Sequence, residues 1–334
     1  MRFIAIARQL ILAIPVILGT TLLAFLYLRV LPGDPVDVIL GQSSGVSQQA
    51  RQVLQQQLGL NHSIPVQLFD FASQLAHGNL GYSYVQHVSV THLVATTLPA
   101  TIELALSAMT FAAMVGLPLA LLSSRRPLWN KLNALVSFLA VSMPEFWLGL
   151  VLVVVFSVKV HLLPSSGQLH PGMVLPRITG FDVVDALIEG NMPALISSLR
   201  HLVLPSIALG TPMIAVIARV LRENLSSELN KEYVRVARAK GLSVGQALRK
   251  HALRNALIPT FTVTGLNFGV LLGGNMVVET VFAWPGLGRL VVQAIFARDY
   301  PVVQGAIIVY ALTFVMVNML VDVMTTLLNP RVEF

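Results

Sequence analysis

The fold is decided by the stretch from Arg219 to Pro259, which reads RVLRENLSSELNKEYVRVARAKGLSVGQALRKHALRNALIP. It carries nine Lys or Arg residues and three Glu residues, whereas the segments on either side are apolar and of membrane-crossing length. Helix-forming residues run from Glu232 to Lys240, Gly241 provides a stop, and Ser243 with Gln246 forms a capping box that begins a second helix. We interpret this stretch as a cytoplasmic loop on which a soluble partner docks.

The composition is that of a membrane protein. Of the 334 residues, 55% are apolar and only 11% are charged, against about 25% charged in soluble domains, and the mean hydropathy is +0.76. The net charge of +7 raises the possibility of nucleic-acid binding, but the positive residues flank apolar segments instead of gathering on a soluble domain. The predicted partner is therefore a lipid bilayer, with no nucleic acid. The absence of cysteine excludes disulfides and thiolate metal sites.

Six apolar stretches are long enough to cross a bilayer as helices. They cover residues 10–30, 99–122, 132–160, 202–218, 259–282 and 302–328. The chain is thus predicted to be an all-α membrane protein with an N-terminal anchor helix (1–30), an extracytoplasmic helical insertion (31–98) and a core domain (99–334). The core contains five further spans and the cytoplasmic loop 219–259. The third span carries Pro144 near its middle, and we expect a single helix that is tilted or kinked there.

Basic residues determine the predicted orientation. With both termini in the cytoplasm, fifteen of the 22 Lys and Arg residues lie inside, and the inverted arrangement would reverse the bias. Outside the membrane we expect helices at Ser47–Leu58, from near Pro65 to near His77, and at Asp182–Glu189. Ser47 serves as the N-cap of the first of these helices, and Gly59 ends it.

Catalytic and nucleotide-binding motifs are missing from the sequence. There is no phosphate-binding Gly-x4-Gly-Lys-Ser/Thr loop, no His-Glu-x-x-His and no Gly-x-Ser-x-Gly. The eight histidines are scattered without the spacing of metal ligands. We therefore predict a protein that is not an enzyme and has neither cofactor nor metal site, so that any energy for transport comes from other subunits.

Ionisable residues within spans are candidates for a transport pathway, because a charge in lipid is costly unless it faces protein or water. We select Glu145 with Trp147 in the third span, and Asn275 with Glu279 in the fifth, as a candidate pathway or gate. For Glu103 and Glu279, near outer span ends, simple snorkelling to the interface is an equal alternative. Asp322, one turn from Asn318, is interpreted as a polar contact between helices.

Small residues in the fifth span predict close helix packing. Gly265, Gly269 and Gly273 are spaced by four residues and share one face, which lets two backbones approach. After this span, the residues Phe282 to Arg289 read FAWPGLGR and predict a turn at the outer face.

Many collinear motifs resemble the inner-membrane permease subunits of the dipeptide/oligopeptide/nickel branch of ABC importers, and most of all the dipeptide permeases. The matching segments are Leu31–Pro35, Leu58–Leu60, Pro99–Leu104, Ser142–Trp147, Glu232–Arg235, Ala237–Leu242, His251–Ala256, Phe282–Arg289, Arg298–Pro301 and Asn329–Arg331. Two departures occur. Arg235 and Val236 stand where the broad coupling-loop consensus has Glu and Ala, and Asn79 stands where the branch usually has Asp.

The resemblance implies the type I ABC importer permease fold in a bacterial inner membrane, with six transmembrane helices. It implies as partners a second homologous permease, two cytoplasmic ABC ATPases and an extracytoplasmic substrate-binding protein. It also implies that the ATPase-coupling loop includes the residues Glu232, Tyr233, Ala237, Arg238, Ala239, Lys240, Gly241 and Leu242.

Several functional alternatives remain open from the sequence. The substrate of such a permease is a di- or oligopeptide, and a nickel or other metal chelate or glutathione is the alternative. A proton-coupled secondary transporter would show inverted repeats, and we find no repeat. A membrane-embedded hydrolase would need a nucleophile and base within spans, where no His lies, and a purely structural scaffold would leave the intramembrane acids unexplained.

Overall fold

The structure is a computed structural model, and it describes residues 11, 14–26, 36, 48–57, 61–124, 127–274 and 276–328. Within these residues the regular structure is helical, and a single bridge between Tyr82 and Ser89 is the only β-pairing. The α-helices are α1 (Ile14–Leu26), α2 (Gln48–Gln57), α3 (Ile64–Ala76), α4 (Val90–Ser123), α5 (Pro127–Ser142), α6 (Glu145–Leu152), α7 (Asp182–Ile188), α8 (Met192–Leu229), α9 (Glu232–Ala239), α10 (Val244–Ala247), α11 (Leu253–Gly274), α12 (Met276–Val281), α13 (Leu287–Phe296) and α14 (Tyr300–Leu328). Two π-helical segments, Val153–Lys159 and Leu248–Ala252, follow α6 and α10.

Four of the described helices are long and apolar enough to cross a membrane. They are Val90–Ser123, Met192–Leu229, Val244–Gly273 and Tyr300–Thr326, and a fifth span is obtained if the bent pair α5–α6 counts as one. The first predicted span lies partly outside the described residues, and its described part, α1, is a shorter apolar helix. The all-helical membrane class is therefore confirmed, while the count of six spans stays a prediction.

The third predicted span is broken rather than kinked. The chain bends by 100° between the apolar helices on either side of residues 143 and 144, so the expectation of a single helix was wrong. Pro144 lacks the N–H needed to continue a helix and disfavours the helical conformation of the residue before it. It adopts φ −60° and ψ 136° and stands as the N-cap of α6. The position of the break was predicted, and its severity was not.

The helices predicted for the two segments between spans are present where the structure describes them. Helices occupy Gln48–Gln57, Ile64–Ala76 and Asp182–Ile188. The proposed N-cap Ser47 and stop Gly59 lie outside the described residues, as does the Leu31–Pro35 turn.

Helix α8 is much longer than the apolar span predicted for it. Its 38 residues correspond to about 57 Å at 1.5 Å per residue, more than the ~30 Å thickness of the hydrocarbon core. Asn191 caps its start by accepting a hydrogen bond from the Ala194 N–H at 3.0 Å. The helix therefore absorbs the end of the predicted outer loop and the first residues of the predicted cytoplasmic loop.

The described chain forms two compact units: residues 1–99 with 286–313, and residues 100–285 with 314–334. In the first unit, the buried Asp299 carboxylate accepts hydrogen bonds from the Ser83 hydroxyl and from the N–H groups of Tyr84 (3.1 Å) and Val85 (3.3 Å). This carboxylate fixes the segment that leads into α4 against the segment that leads into α14.

The second unit contains the larger part of the buried core. One cluster is built around Leu104, Leu209, Phe282 and Trp284 and joins α4, α8 and the end of α12. A second cluster joins α4 and α8 further along these helices, and a third surrounds Leu225 and Leu248 at the base of the basic segment. Helix α8 contributes to all three, which makes it the central element of this unit.

Two of the three predicted small-residue contacts are present in the second unit. A Cβ built on Gly265 would meet the Val321 side chain, with Cγ1 at 2.8 Å, and one on Gly269 would meet Phe314 at 3.0 Å. A Cβ on Gly273 would meet no atom within 4 Å. Helices α11 and α14 therefore approach closely at Gly265 and Gly269, and Gly273 takes no part.

We expect Gly265→Ala to lower the free energy of unfolding by about 1–3 kcal/mol, because its methyl group overlaps Val321. Gly273→Ala on the same helix is the matched control, and we expect it to be neutral or stabilising by up to about 1 kcal/mol. Thermal unfolding of the purified variants in detergent measures both. Equal effects at the two positions would contradict the packing described for α11 and α14.

The segment before α7 is organised by Asp185, whose side chain is fully buried. Its carboxylate accepts hydrogen bonds from the N–H groups of Ile178 (3.2 Å), Thr179 (2.8 Å) and Gly180 (3.1 Å), and from the Thr179 hydroxyl at 2.6 Å. Burial raises the pKa of Asp185, but these donors outweigh burial and hold the pKa below its usual value.

Because the folded protein holds the pKa of Asp185 low, ionisation of this group stabilises the fold above the unfolded-state pKa. That stabilisation is lost as the pH falls through the lower folded-state pKa. We expect Asp185→Asn to cost about 2 kcal/mol at pH 7, since an amide oxygen replaces a charged acceptor. The difference in unfolding temperature between wild type and variant should shrink on acidification below pH 4, and a constant difference would contradict the role of the charge.

Candidate functional site

The basic segment forms the helix that the sequence predicted. Helix α9 spans Glu232–Ala239, and Gly241 follows with φ +94°. The Gly241 N–H donates to the Arg238 carbonyl at 3.0 Å and the Leu242 N–H to the Ala237 carbonyl at 3.4 Å, the two bonds of a Schellman motif. The predicted capping box is present, with Ser243 and Gln246 each bonded to the other's backbone N–H.

Helix α9 is attached to the rest of its unit by a narrow apolar face. Val234 and Ala237 are its buried residues. The side chains of Glu232, Tyr233, Arg238, Ala239 and Lys240 are exposed, as is Gly241, and Leu242 is half-buried. Most of the predicted coupling residues therefore lie on a positively charged surface that is open to a partner.

The base of α9 carries a hydrogen-bond network that the sequence analysis missed. The Tyr233 hydroxyl donates to the Glu228 carboxylate and accepts a hydrogen bond from the Asn255 side-chain amide at 3.0 Å. Lys231 Nζ lies 2.5 Å from Glu228 Oε1. Glu228 precedes α9 by only four residues, but Asn255 lies 22 residues beyond Tyr233, and no local pattern predicts that pairing.

The shifted pKa values in this network keep Tyr233 and Lys231 protonated, as their hydrogen bonds to Glu228 require. Burial and the hydrogen bond to Glu228 raise the pKa of Tyr233 above 10.0, so the phenol keeps its proton and acts as a donor at neutral pH. The hydrogen bond to Glu228 also raises the pKa of Lys231 above 10.5.

The segment that follows α9 is held by apolar burial. Ala247, Leu248 and Ala252 are fully buried in a cluster with Leu221 and Leu225 of α8 and Ala256 of α11. The exposed basic surface thus stands on a rigid apolar base.

The described candidate pathway residues lie on α6 and α12, two helices that pack against each other. Glu145 is half-buried in the first turn of α6, at the 100° bend, where the positive end of the helix favours a carboxylate. Trp147 is 47% exposed. Asn275 lies outside the described residues.

Glu279 and Glu103 are buried, so the snorkelling alternative was wrong for both. Glu279 is fully buried and accepts a hydrogen bond from the Thr101 hydroxyl at 2.7 Å. Glu103, 7% exposed, accepts from the N–H groups of Asp182 (3.3 Å) and Val183 (2.8 Å) at the start of α7. Both carboxylates join elements inside the second unit.

The same part of α4 makes a third polar contact, through its backbone. The Trp284 indole N–H donates to the Ala100 carbonyl at 2.9 Å, next to the Thr101–Glu279 bond. The sequence placed Ala100, Thr101 and Glu103 in one motif, but the separation of 184 residues between Trp284 and Ala100 gave no sign that they meet.

One buried polar atom on α14 contrasts with the hydrogen-bonded carboxylates of Glu103 and Glu279. The Asn318 side-chain oxygen is buried without a hydrogen-bond partner among the described residues. Among the same residues, no group of three or more His, Cys, Asp or Glu could hold a metal ion.

The chain is similar in sequence to known proteins over nearly its whole length. Residues 108–334 match the family model described as the inner membrane component of binding-protein-dependent transport systems, and residues 1–105 match the model of the N-terminal part of such components. A di/tripeptide transport system permease protein of Pseudomonas aeruginosa is 43% identical over 330 residues, covering 98% of each chain.

Two dipeptide transport system permease proteins are similar over the same extent. That of Alkalihalophilus pseudofirmus is 40% identical over 329 residues, and that of Escherichia coli K12 is 38% identical over 333 residues. Each alignment covers 98% of this chain and 98% of the relative. These matches confirm the resemblance inferred from the motifs, and the chain belongs to the family of inner-membrane components of binding-protein-dependent transport systems.

Proposed function

We propose that this chain is one of two permease subunits of an ATP-driven importer of di- and oligopeptides. The observation that carries the proposal is the geometry of α9, a capped, exposed and basic helix on a buried base, in a chain whose relatives are named as peptide permeases. A second permease would complete the pathway, one of two ATPases would bind the α9 surface of this chain, and a binding protein would deliver the substrate on the other side.

The proposed arrangement in the membrane follows the distribution of positive charge. Six spans with both termini in the cytoplasm put the α9 surface inside, and residues 31–98 form an extracytoplasmic insertion between the anchor helix and the core domain. The third span is then the broken α5–α6 pair, with Glu145 and Trp147 at its bend, and we propose these two residues, with Asn275 and Glu279, as part of the pathway or gate.

Nucleotide-driven motion would enter the permease through α9. Closure of the ATPases displaces α9, and the helices that flank the basic segment, α8 and α11, carry that displacement into the membrane as a rigid-body change between outward- and inward-facing states. The peptide assignment rests on the named relatives, and a metal chelate or glutathione is the alternative cargo for the same machine.

The function is tested by uptake into proteoliposomes. The chain is reconstituted with the second permease, the two ATPases and the binding protein, and uptake of a labelled dipeptide is measured with ATP on the ATPase side. We expect uptake that requires ATP and the binding protein and persists when an ionophore collapses the proton gradient. Uptake abolished by the ionophore and indifferent to ATP would instead indicate a secondary transporter, and competition by glutathione or a nickel chelate would identify the alternative cargo.

The coupling loop is tested at Gly241. Its φ of +94° is strained for any side chain, and a Cβ there meets no atom of this chain within 4 Å, so a large residue projects toward the bound ATPase. We expect Gly241→Trp to reduce substrate-stimulated ATP hydrolysis by at least about tenfold, the effect of roughly 1.4 kcal/mol, while the protein still inserts.

Gly172 provides the matched control. It has a similar φ of +90° and equally open surroundings, and it lies in the loop assigned to the opposite side of the membrane. Gly172→Trp carries a similar backbone strain, and we expect its substrate-stimulated ATP hydrolysis to stay close to that of the wild type. Unchanged hydrolysis in Gly241→Trp, or equal losses in both variants, would count against ATPase docking at this loop.

A further inference from the structure

The Tyr233 hydroxyl lies where three segments of the second unit meet. Glu228 belongs to the last turn of α8, Tyr233 to the first turn of α9 and Asn255 to the first turn of α11. The phenolic oxygen uses both of its roles there, as donor to Glu228 and as acceptor from Asn255. We call the set Glu228, Lys231, Tyr233 and Asn255 the Tyr233 junction.

The remaining contacts of α9 with its unit do little to fix its orientation. Its buried face consists of Val234 and Ala237, and apolar contact between small side chains resists separation without fixing an angle. A hydrogen bond is directional, and one to a charged group is stronger than one between neutral groups. The junction therefore fixes the orientation of α9 relative to the ends of α8 and α11.

The junction also lies on the route by which a displacement of α9 would reach α8 and α11. A shift of α9 reaches α8 through Glu228 and reaches α11 through Asn255, and Tyr233 is the single side chain bonded to both. The α8 and α11 ends are also linked directly, by a hydrogen bond between the Asn255 and Glu228 side chains and by a long contact of 3.5 Å between Asn224 and Thr260. Loss of the phenolic oxygen would leave α9 in contact with its partner and free to tilt on its small apolar face.

We propose that Tyr233 is a positioning residue for energy coupling, which makes the movement of α9 into a joint movement of α8 and α11. The inference rests on the proposed function and deepens it. It predicts a particular defect: ATP is still consumed, but less solute is moved per ATP.

The test is the ratio of dipeptide uptake to ATP hydrolysed in the reconstituted complex, normalised to the amount of ATPase that copurifies. Tyr233→Phe removes one oxygen and keeps the ring. We expect the ratio to fall about tenfold, the effect of a loss of roughly 1.4 kcal/mol in coupling. Asn255→Leu removes the other partner, and we expect a fall of similar size. The double variant should lose less than the sum of the two single losses, because the Tyr233–Asn255 bond is removed in both single variants.

Glu223→Gln is the matched control for a polar change on the same part of α8. Glu223 is exposed and makes no hydrogen bond to a described residue, and we expect its ratio to match that of the wild type. An unchanged ratio in Tyr233→Phe would overturn the inference, and so would a parallel loss of uptake, hydrolysis and bound ATPase, which would make Tyr233 a docking residue. A large drop in unfolding temperature in both Tyr233→Phe and Asn255→Leu would also overturn it, by showing a structural role.

Failure of the underlying function is distinguishable. If the unaltered complex takes up no dipeptide with ATP, the proposed function falls and this inference falls with it. If the unaltered complex takes up dipeptide and the variants behave in the same way as it does, the inference alone is wrong.

Discussion

The second unit depends on one physical constraint, and the Thr101–Glu279 hydrogen bond is an example of how it is met. Hydrocarbon offers no hydrogen-bond partners, so each polar group placed within a span must be satisfied by the protein itself. In the Ala100–Glu103 turn of α4, the Ala100 carbonyl accepts a hydrogen bond from the Trp284 indole, Thr101 donates to Glu279, and Glu103 accepts from the N–H groups at the start of α7. One helix segment is thereby joined to two others through polar contacts, around which the apolar side chains of Leu104, Phe282 and Leu209 pack.

The basic segment around α9 is organised differently. It is exposed, and local interactions hold it: a Schellman motif at Gly241, a capping box at Ser243 and a small buried face. Among the described residues, its contacts with the neighbouring helices include that buried face, the apolar cluster around Leu248 and the Tyr233 junction. These contacts determine how a displacement of α9 would reach α8 and α11.

The bend at Pro144 depends on both local and tertiary effects. Its cause is local, since proline cannot continue the helix, but its angle of 100° depends on how α6 packs. Gly149 of α6 lies against Phe282, whose ring would be 3.0 Å from a Cβ at that position. The break puts Glu145 in the first turn of α6 and divides the long apolar stretch into two shorter helices.

The sequence by itself determined the helical membrane class, the positions of most helices, the break at Pro144 and the whole architecture of α9. These features depend on hydropathy, on proline and glycine, and on capping residues a few positions apart, all of which act locally. Only the tertiary structure decided that Glu103 and Glu279 are buried, that Gly273 is left out of the contact made by Gly265 and Gly269, and that Tyr233 meets Asn255. Each of these depends on which face of one helix meets which face of another, and the energies that select a face are spread over many residues distant in the chain.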